Sequence, residues 1–145
     1  MRLRQLSLFL ENQTGKLRAP CEALGKAGVN ILAMSLADTS QFGILRLVVS
    51  DWAKGKAALE AGGTTVKITE VLPVEVEDRP GGLARVLAVV DEAGLGIEYM
   101  YALAAGPRAG KTVVVFRFDE PERAQAVLQG KGLRVLEERE VLGST

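Results

Sequence analysis

The sequence predicts an α+β protein made of two βαββαβ repeats packed side by side, with helices on one sheet face. Three observations carry this: the chain matches itself, apolar spacing alternates between strand and helix periods in each half, and no flexible spacer separates the halves. Setting Glu11-Asn12-Gln13-Thr14-Gly15-Lys16-Leu17 against Glu77-Asp78-Arg79-Pro80-Gly81-Gly82-Leu83 fixes the register, and carries Ala27-Gly28-Val29-Asn30-Ile31 onto Ala93-Gly94-Leu95-Gly96-Ile97. Further along, Asp51 aligns with Asp119, and Glu70-Val71-Leu72 with Glu140-Val141-Leu142. The offset grows from 66 (Glu11 to Glu77) to 70 (Glu70 to Glu140), as short insertions in surface turns produce. The repeats are assigned to residues 1–72 and 73–145.

Each element follows from its spacing. Gln5 to Leu10 is a strand with Leu6, Leu8 and Leu10 on one face. Leu17, Cys21 and Leu24 recur at helical spacing, as do Leu83, Val86, Leu87 and Val90, and Gly28 and Gly94 follow where each helix should stop. Pro20 lies a few residues into the first helix, so a kink or a delayed start is expected there. Ile31 to Leu36 and Ile44 to Val49 are the second and third strands, joined by the turn-rich 38–43. Asp51 and Asp119 are suited to cap a second helix, with Pro121 tolerated in its first turn. Val66 to Val71 and Leu133 to Leu136 close the copies as fourth strands. This order is the split βαβ, or ferredoxin-like, arrangement. The third strands, Ile44 to Val49 and Val113 to Phe116, are apolar on both faces while helices cover only one. A second chain is therefore expected over the other face, as a homodimer.

Composition excludes several functions. The chain has 145 residues, 48% hydrophobic, with 18 basic and 18 acidic side chains. Without a basic excess, neither nucleic acid nor an anionic membrane is an expected partner. The apolar runs fall well short of the roughly 20 residues a spanning helix needs, and the alternating start lacks a cleavage signal, so a cytoplasmic protein is expected. There is no histidine and a single cysteine, Cys21. That removes histidine-based triads, thiolate clusters and most transition-metal sites, so no enzyme activity, metal or cofactor is expected.

Four further signals have ordinary readings. AGPRAGKT at 105–112 fits a loose phosphate-loop pattern, but Lys111-Thr112 run into a strand where the mechanism requires a helix, so a hairpin tip is expected. Cys21, on an apolar stripe, is expected as a packed thiol. Glu75 and Glu77 share a strand face and are taken as a solvated edge. Tyr99 and Tyr101 share another face, consistent with packing or a pocket wall.

The motif E-N-x-x-G-x-L at Glu11 to Leu17, Gly28-Val29-Asn30-Ile31, and Asp78-Arg79-Pro80-Gly81-Gly82-Leu83 together resemble the ACT family of regulatory modules of amino-acid metabolism. Gly96 departs from the pattern, standing where the first copy has Asn30. The resemblance covers essentially the whole chain as two copies. It implies an amino-acid effector at inter-domain or inter-subunit sites, contacted by Asn12, Gln13, Thr14, Gly15, Lys16, Leu17, Asn30 and Ile31 in the first repeat. In the second the contacts would be Asp78, Arg79, Pro80, Gly81, Gly82 and Leu83. Backbone N–H groups of Gly15 to Leu17 or Gly81 to Leu83 would hold the ligand carboxylate at a helix N-terminus, and Asn12, Asn30 or Asp78 would accept from its ammonium. Because Asn12 becomes Asp78 and Asn30 becomes Gly96, the two sites are expected to differ. Glu11 to Gly15 also resembles the opening of acetolactate synthase small subunits, which implies an alternative: a regulatory subunit of such a metabolic enzyme. A small catalytic ferredoxin-like protein is disfavoured, because no acid-base or nucleophile constellation is present.

Overall fold

The computed structural model describes residues 2–11, 13–38, 42–104 and 106–143. The chain divides into two compact units: a first of Arg4–Thr69, and a second of Met1–Leu3 with Glu70–Thr145. The elements are β1 (Leu3–Glu11), α1 (Arg18–Lys26), β2 (Ile31–Asp38), β3 (Phe42–Val49), α2 (Trp52–Ala61) and β4 (Val66–Glu77), then α3 (Gly82–Glu92), β5 (Ile97–Ala102), β6 (Lys111–Phe118), α4 (Pro121–Gly130) and α5 (Glu138–Leu142).

In the first unit the strands lie in the order β4-β1-β3-β2. Leu6 pairs with Leu47 and Leu8 with Leu45 across the antiparallel β1–β3 ladder, so these four share one face. That face packs with Leu24 of α1 and Leu59 of α2 into a single core. Leu17 is exposed and Cys21 half-buried, so the expected apolar stripe of α1 reaches full burial only at Leu24. Pro20 is the third residue of α1, within the first turn, where an N–H has no intrahelical acceptor and its loss is free. The proline delays the helix without kinking it: α3 starts at Gly82, whereas the counterpart of Arg18 at the offset of 66 is Ala84.

In the second unit the order is β4-β6-β5. Leu72, Val74 and Val76 of β4 join Phe116 and Phe118 of β6, with Val86 and Val90 of α3, in a second core. The two phenylalanine rings stack with centroids 5.2 Å apart. The fourth strand expected at Leu133 to Leu136 is reduced to one bridge, Val74 to Val135, with hydrogen bonds from Glu75 N–H to the Arg134 carbonyl (2.9 Å) and from Leu136 N–H to the Pro73 carbonyl (2.8 Å). The chain then turns into α5, opened by a capping box between Glu137 and Glu140. Glu140-Val141-Leu142 is therefore helical while Glu70-Val71-Leu72 is strand, and that alignment does not hold.

The helix caps correct the register once more. Asp51 caps α2, accepting from the Lys54 N–H at 3.1 Å. Asp119 does not cap α4, whose N-cap is Glu120. Its carboxylate instead accepts from the Gly96 N–H at 3.1 Å, as Ser50 Oγ accepts from the Asn30 N–H at 2.9 Å. Asp119 is thus the counterpart of Ser50, and Glu120 of Asp51. A Cβ on Gly96 would lie 2.6 Å from Asp119 Oδ2, so a side chain there would require the carboxylate to move.

The outer residues of the third strands behave differently from expectation. Val48, Val113 and Val115 have no exposed surface in the single chain, so they require no second molecule. Phe9 (70% exposed) and Phe42 (50%) do remain open. Among the described residues no helix is long and apolar enough to cross a membrane.

Candidate functional site in the loop after the shared strand

The two strand-to-helix loops repeat one backbone design. Gln13 N–H donates to the Glu11 carbonyl and Arg79 N–H to the Glu77 carbonyl; Lys16 N–H donates to Gln13 and Gly82 N–H to Arg79. Gly15 and Gly81 take φ of +89° and +85°, a left-handed conformation that glycine adopts without steric cost. These bonds consume the N–H groups of Lys16 and Gly82 within the bends, so those two are not carboxylate donors as expected. Asn12 lies outside the described residues. Gln13, Thr14, Gly15, Lys16, Leu17 and Asn30 are exposed, while Ile31 packs at the margin of the first core.

The second loop borders a cavity of about 450 Å³. Arg79, Pro80, Gly81 and Gly82 line it; Asp78 and Leu83 do not. Asp78 is exposed, with its N–H bonded to the Gly110 carbonyl at 3.1 Å, and Leu83 packs on the second core. Gly82 is fixed by close approach, because a Cβ there would run into the carbonyl group of Glu77, 3.0 Å from its carbon and nearer still to its oxygen.

The cavity's chemistry comes from residues that sequence reasoning passed over. Glu75 is buried, because β4 is paired at that point with Val113 of β6 on one side and the Arg134 carbonyl on the other; it is no solvated edge. Its carboxylate accepts from Nε and Nη2 of Arg108, the Nε contact at 3.0 Å, and from Nη1 of Arg134 at 3.1 Å. The Arg108 hydrogen bond outweighs the opposing effect of burial and holds the Glu75 carboxyl below its ordinary pKa, with the charges of Arg108 and Arg134 adding to the shift. Glu77 pairs with Arg79 and, at 3.5 Å, with Lys111. Arg85, one turn into α3, completes the cationic wall and is exposed. Lys111 and Thr112 open β6, so the phosphate-loop-like stretch leads into a strand, as its sequence predicts.

Among the described residues, the first repeat differs at the positions that build this cavity. The offset of 66 places Phe9 at the position of Glu75 and Ala19 at that of Arg85. Glu11 pairs with Phe42 as Glu77 pairs with Lys111, so Phe42 replaces the lysine. The same bend is therefore flanked by Phe9, Ala19 and Phe42 in one copy and by Glu75, Arg85 and Lys111 in the other.

Two units, the first βαββαβ and the second βαββα closed by the Val74–Val135 bridge, each with a glycine bend between first strand and first helix, define a tandem ACT regulatory protein. The chain belongs to the ACT domain pair family, whose model matches residues 1–144. It is similar to the crystal structure of a Bacteroides thetaiotaomicron protein at 35% identity and TM-score 0.90, over 99% of this chain and 98% of that one. It is also similar in fold to the regulatory subunit of aspartate kinase from Thermus thermophilus (16% identity, TM-score 0.67, 91% and 92% covered). The corresponding subunit from Thermus flavus gives 19% identity and TM-score 0.61, with 89% and 90% covered. No curated protein matches the chain significantly.

Proposed function

We propose that the protein is a non-catalytic sensor that binds a small amino-acid effector in the cavity beside Gly81 and Gly82. The observation that carries this reading is the pairing of that bend, at the start of α3, with a cavity whose wall is built from ion-paired arginines. A helix start favours a carboxylate through its dipole and unpaired N–H groups, and the arginines add charge and directional donors. Binding would act by population shift, favouring one arrangement of the protein over another.

Thermal unfolding against a panel of amino acids tests the reading. A true effector at 100 times its dissociation constant is expected to add about 2.7 kcal/mol, or roughly 5–10 °C. No shift with any amino acid, confirmed by calorimetric titration, removes the proposal.

A homodimer belongs to the same proposal, with exposed Phe9 and Phe42 as the surface to be covered. Light scattering after size-exclusion chromatography is expected to give twice the 15.5 kDa of one chain; a stable dilute monomer overturns it. A metabolic enzyme as partner is the second reading, favoured by the occurrence of this fold in regulatory subunits. Acetolactate synthase is the enzyme suggested by Glu11 to Gly15, and co-purification of such an enzyme with the tagged chain would decide for it.

A further inference from the structure

Charge in the cavity narrows the effector. Five cationic side chains line it, Arg79, Arg85, Arg108, Lys111 and Arg134, against the carboxylates of Glu75 and Glu77. Both Glu75 oxygens are occupied by Arg108 and Arg134, and Glu77, the other lining carboxylate, is engaged as well. Arg79 and Lys111 already pair with Glu77. Arg85 is different: among the described residues it has no ion-pair partner, although it stands on the cavity wall one turn from the glycine bend. A zwitterion with a neutral side chain brings no net charge to this surplus of cations. A ligand with a second carboxylate does, and a concave wall concentrates the field that attracts it.

We propose that the effector is an acidic amino acid, whose side-chain carboxylate is taken by Arg85, and that each chain holds one such ligand, in the second repeat. The proposal rests on the amino-acid reading above and adds the ligand's charge and stoichiometry. Phe9, Ala19 and Phe42 stand in the first repeat where Glu75, Arg85 and Lys111 stand in the second, so the arginine proposed to take the side-chain carboxylate has no counterpart there.

Isothermal titration with aspartate, glutamate, alanine, valine, lysine, succinate and inorganic phosphate tests both parts. Aspartate or glutamate is expected to bind at one site per chain, at least tenfold more tightly than alanine, valine or lysine. Arg85→Gln should weaken it by tenfold or more, and Arg85→Lys by much less, with the unliganded melting temperature unchanged in both. A neutral or basic amino acid binding as tightly as the acidic ones overturns the charge assignment while the sensor reading stands, as does an Arg85→Gln variant of unaltered affinity. Two equal sites overturn the stoichiometry. Succinate or phosphate binding in the absence of any amino-acid binding overturns the proposal together with the reading on which it rests.

Discussion

Gly82→Ala is expected to destabilise the protein by about 3 kcal/mol, the upper end of what overpacking costs, lowering its melting temperature by roughly 10 °C. The added methyl would meet the Glu77 carbonyl, a backbone group that cannot rotate away. Either α3 retreats from β4 or the bend opens, and both alter the cavity wall, so effector binding is expected to disappear as well. Gly81→Ala provides the contrast. Gly81 has φ of +85° but nothing within 4 Å of an added Cβ, so its cost is the left-handed strain alone, about 1–2 kcal/mol. Calorimetric unfolding of the two variants orders them. A Gly82→Ala protein more stable than Gly81→Ala would show that strand and helix do not approach as closely as the structure has them.

That ordering cannot be read from the sequence, where Gly81 and Gly82 are simply adjacent. What was legible there is local and repeated. The bend recurs at an offset of 66 because the same glycine must take a positive φ in both copies, and the flanking apolar periods are those of a strand before it and a helix after it. The fold class was therefore accessible, as was the strand after Lys111. Where the two copies had drifted, one-residue ambiguities misled: Asp119 has the chemistry of a cap but is spent on Gly96, and the cap position falls to Glu120. The charged half of the site was hidden for a different reason. Arg108 and Arg134 lie 33 and 59 residues from Glu75, and no local spacing joins groups that meet only when β6 and the Val135 bridge flank β4. Glu75 itself gave a faint signal, a carboxylate between Val74 and Val76 in a run of apolar residues, but alternation alone does not distinguish a central strand from an edge.

Glu75→Gln is expected to cost about 2–3 kcal/mol at neutral pH, the scale of a hydrogen-bonded charge pair broken on its buried side. The loss is moderated because Arg108 and Arg134 are 55% and 44% exposed and can turn to water, whereas Glu75 is only 5% exposed. The amide carries no charge and presents an NH2 group to guanidinium donors in place of one accepting oxygen, so the cavity wall loses its fixed geometry and effector affinity should fall by tenfold or more. The pH dependence separates this from a generic packing defect. The folded-state pKa of Glu75 lies below its ordinary value of 4.5, so the pair stabilises the fold fully above that value and is lost as pH falls through the depressed pKa. Denaturant unfolding at pH 7, 5 and 3 should therefore show the wild-type advantage over Glu75→Gln intact at pH 7 and 5 and reduced at pH 3. An advantage that is unchanged at pH 3 would mean that the ionisation of this carboxylate does not stabilise the fold, and that the arginines are held by something else.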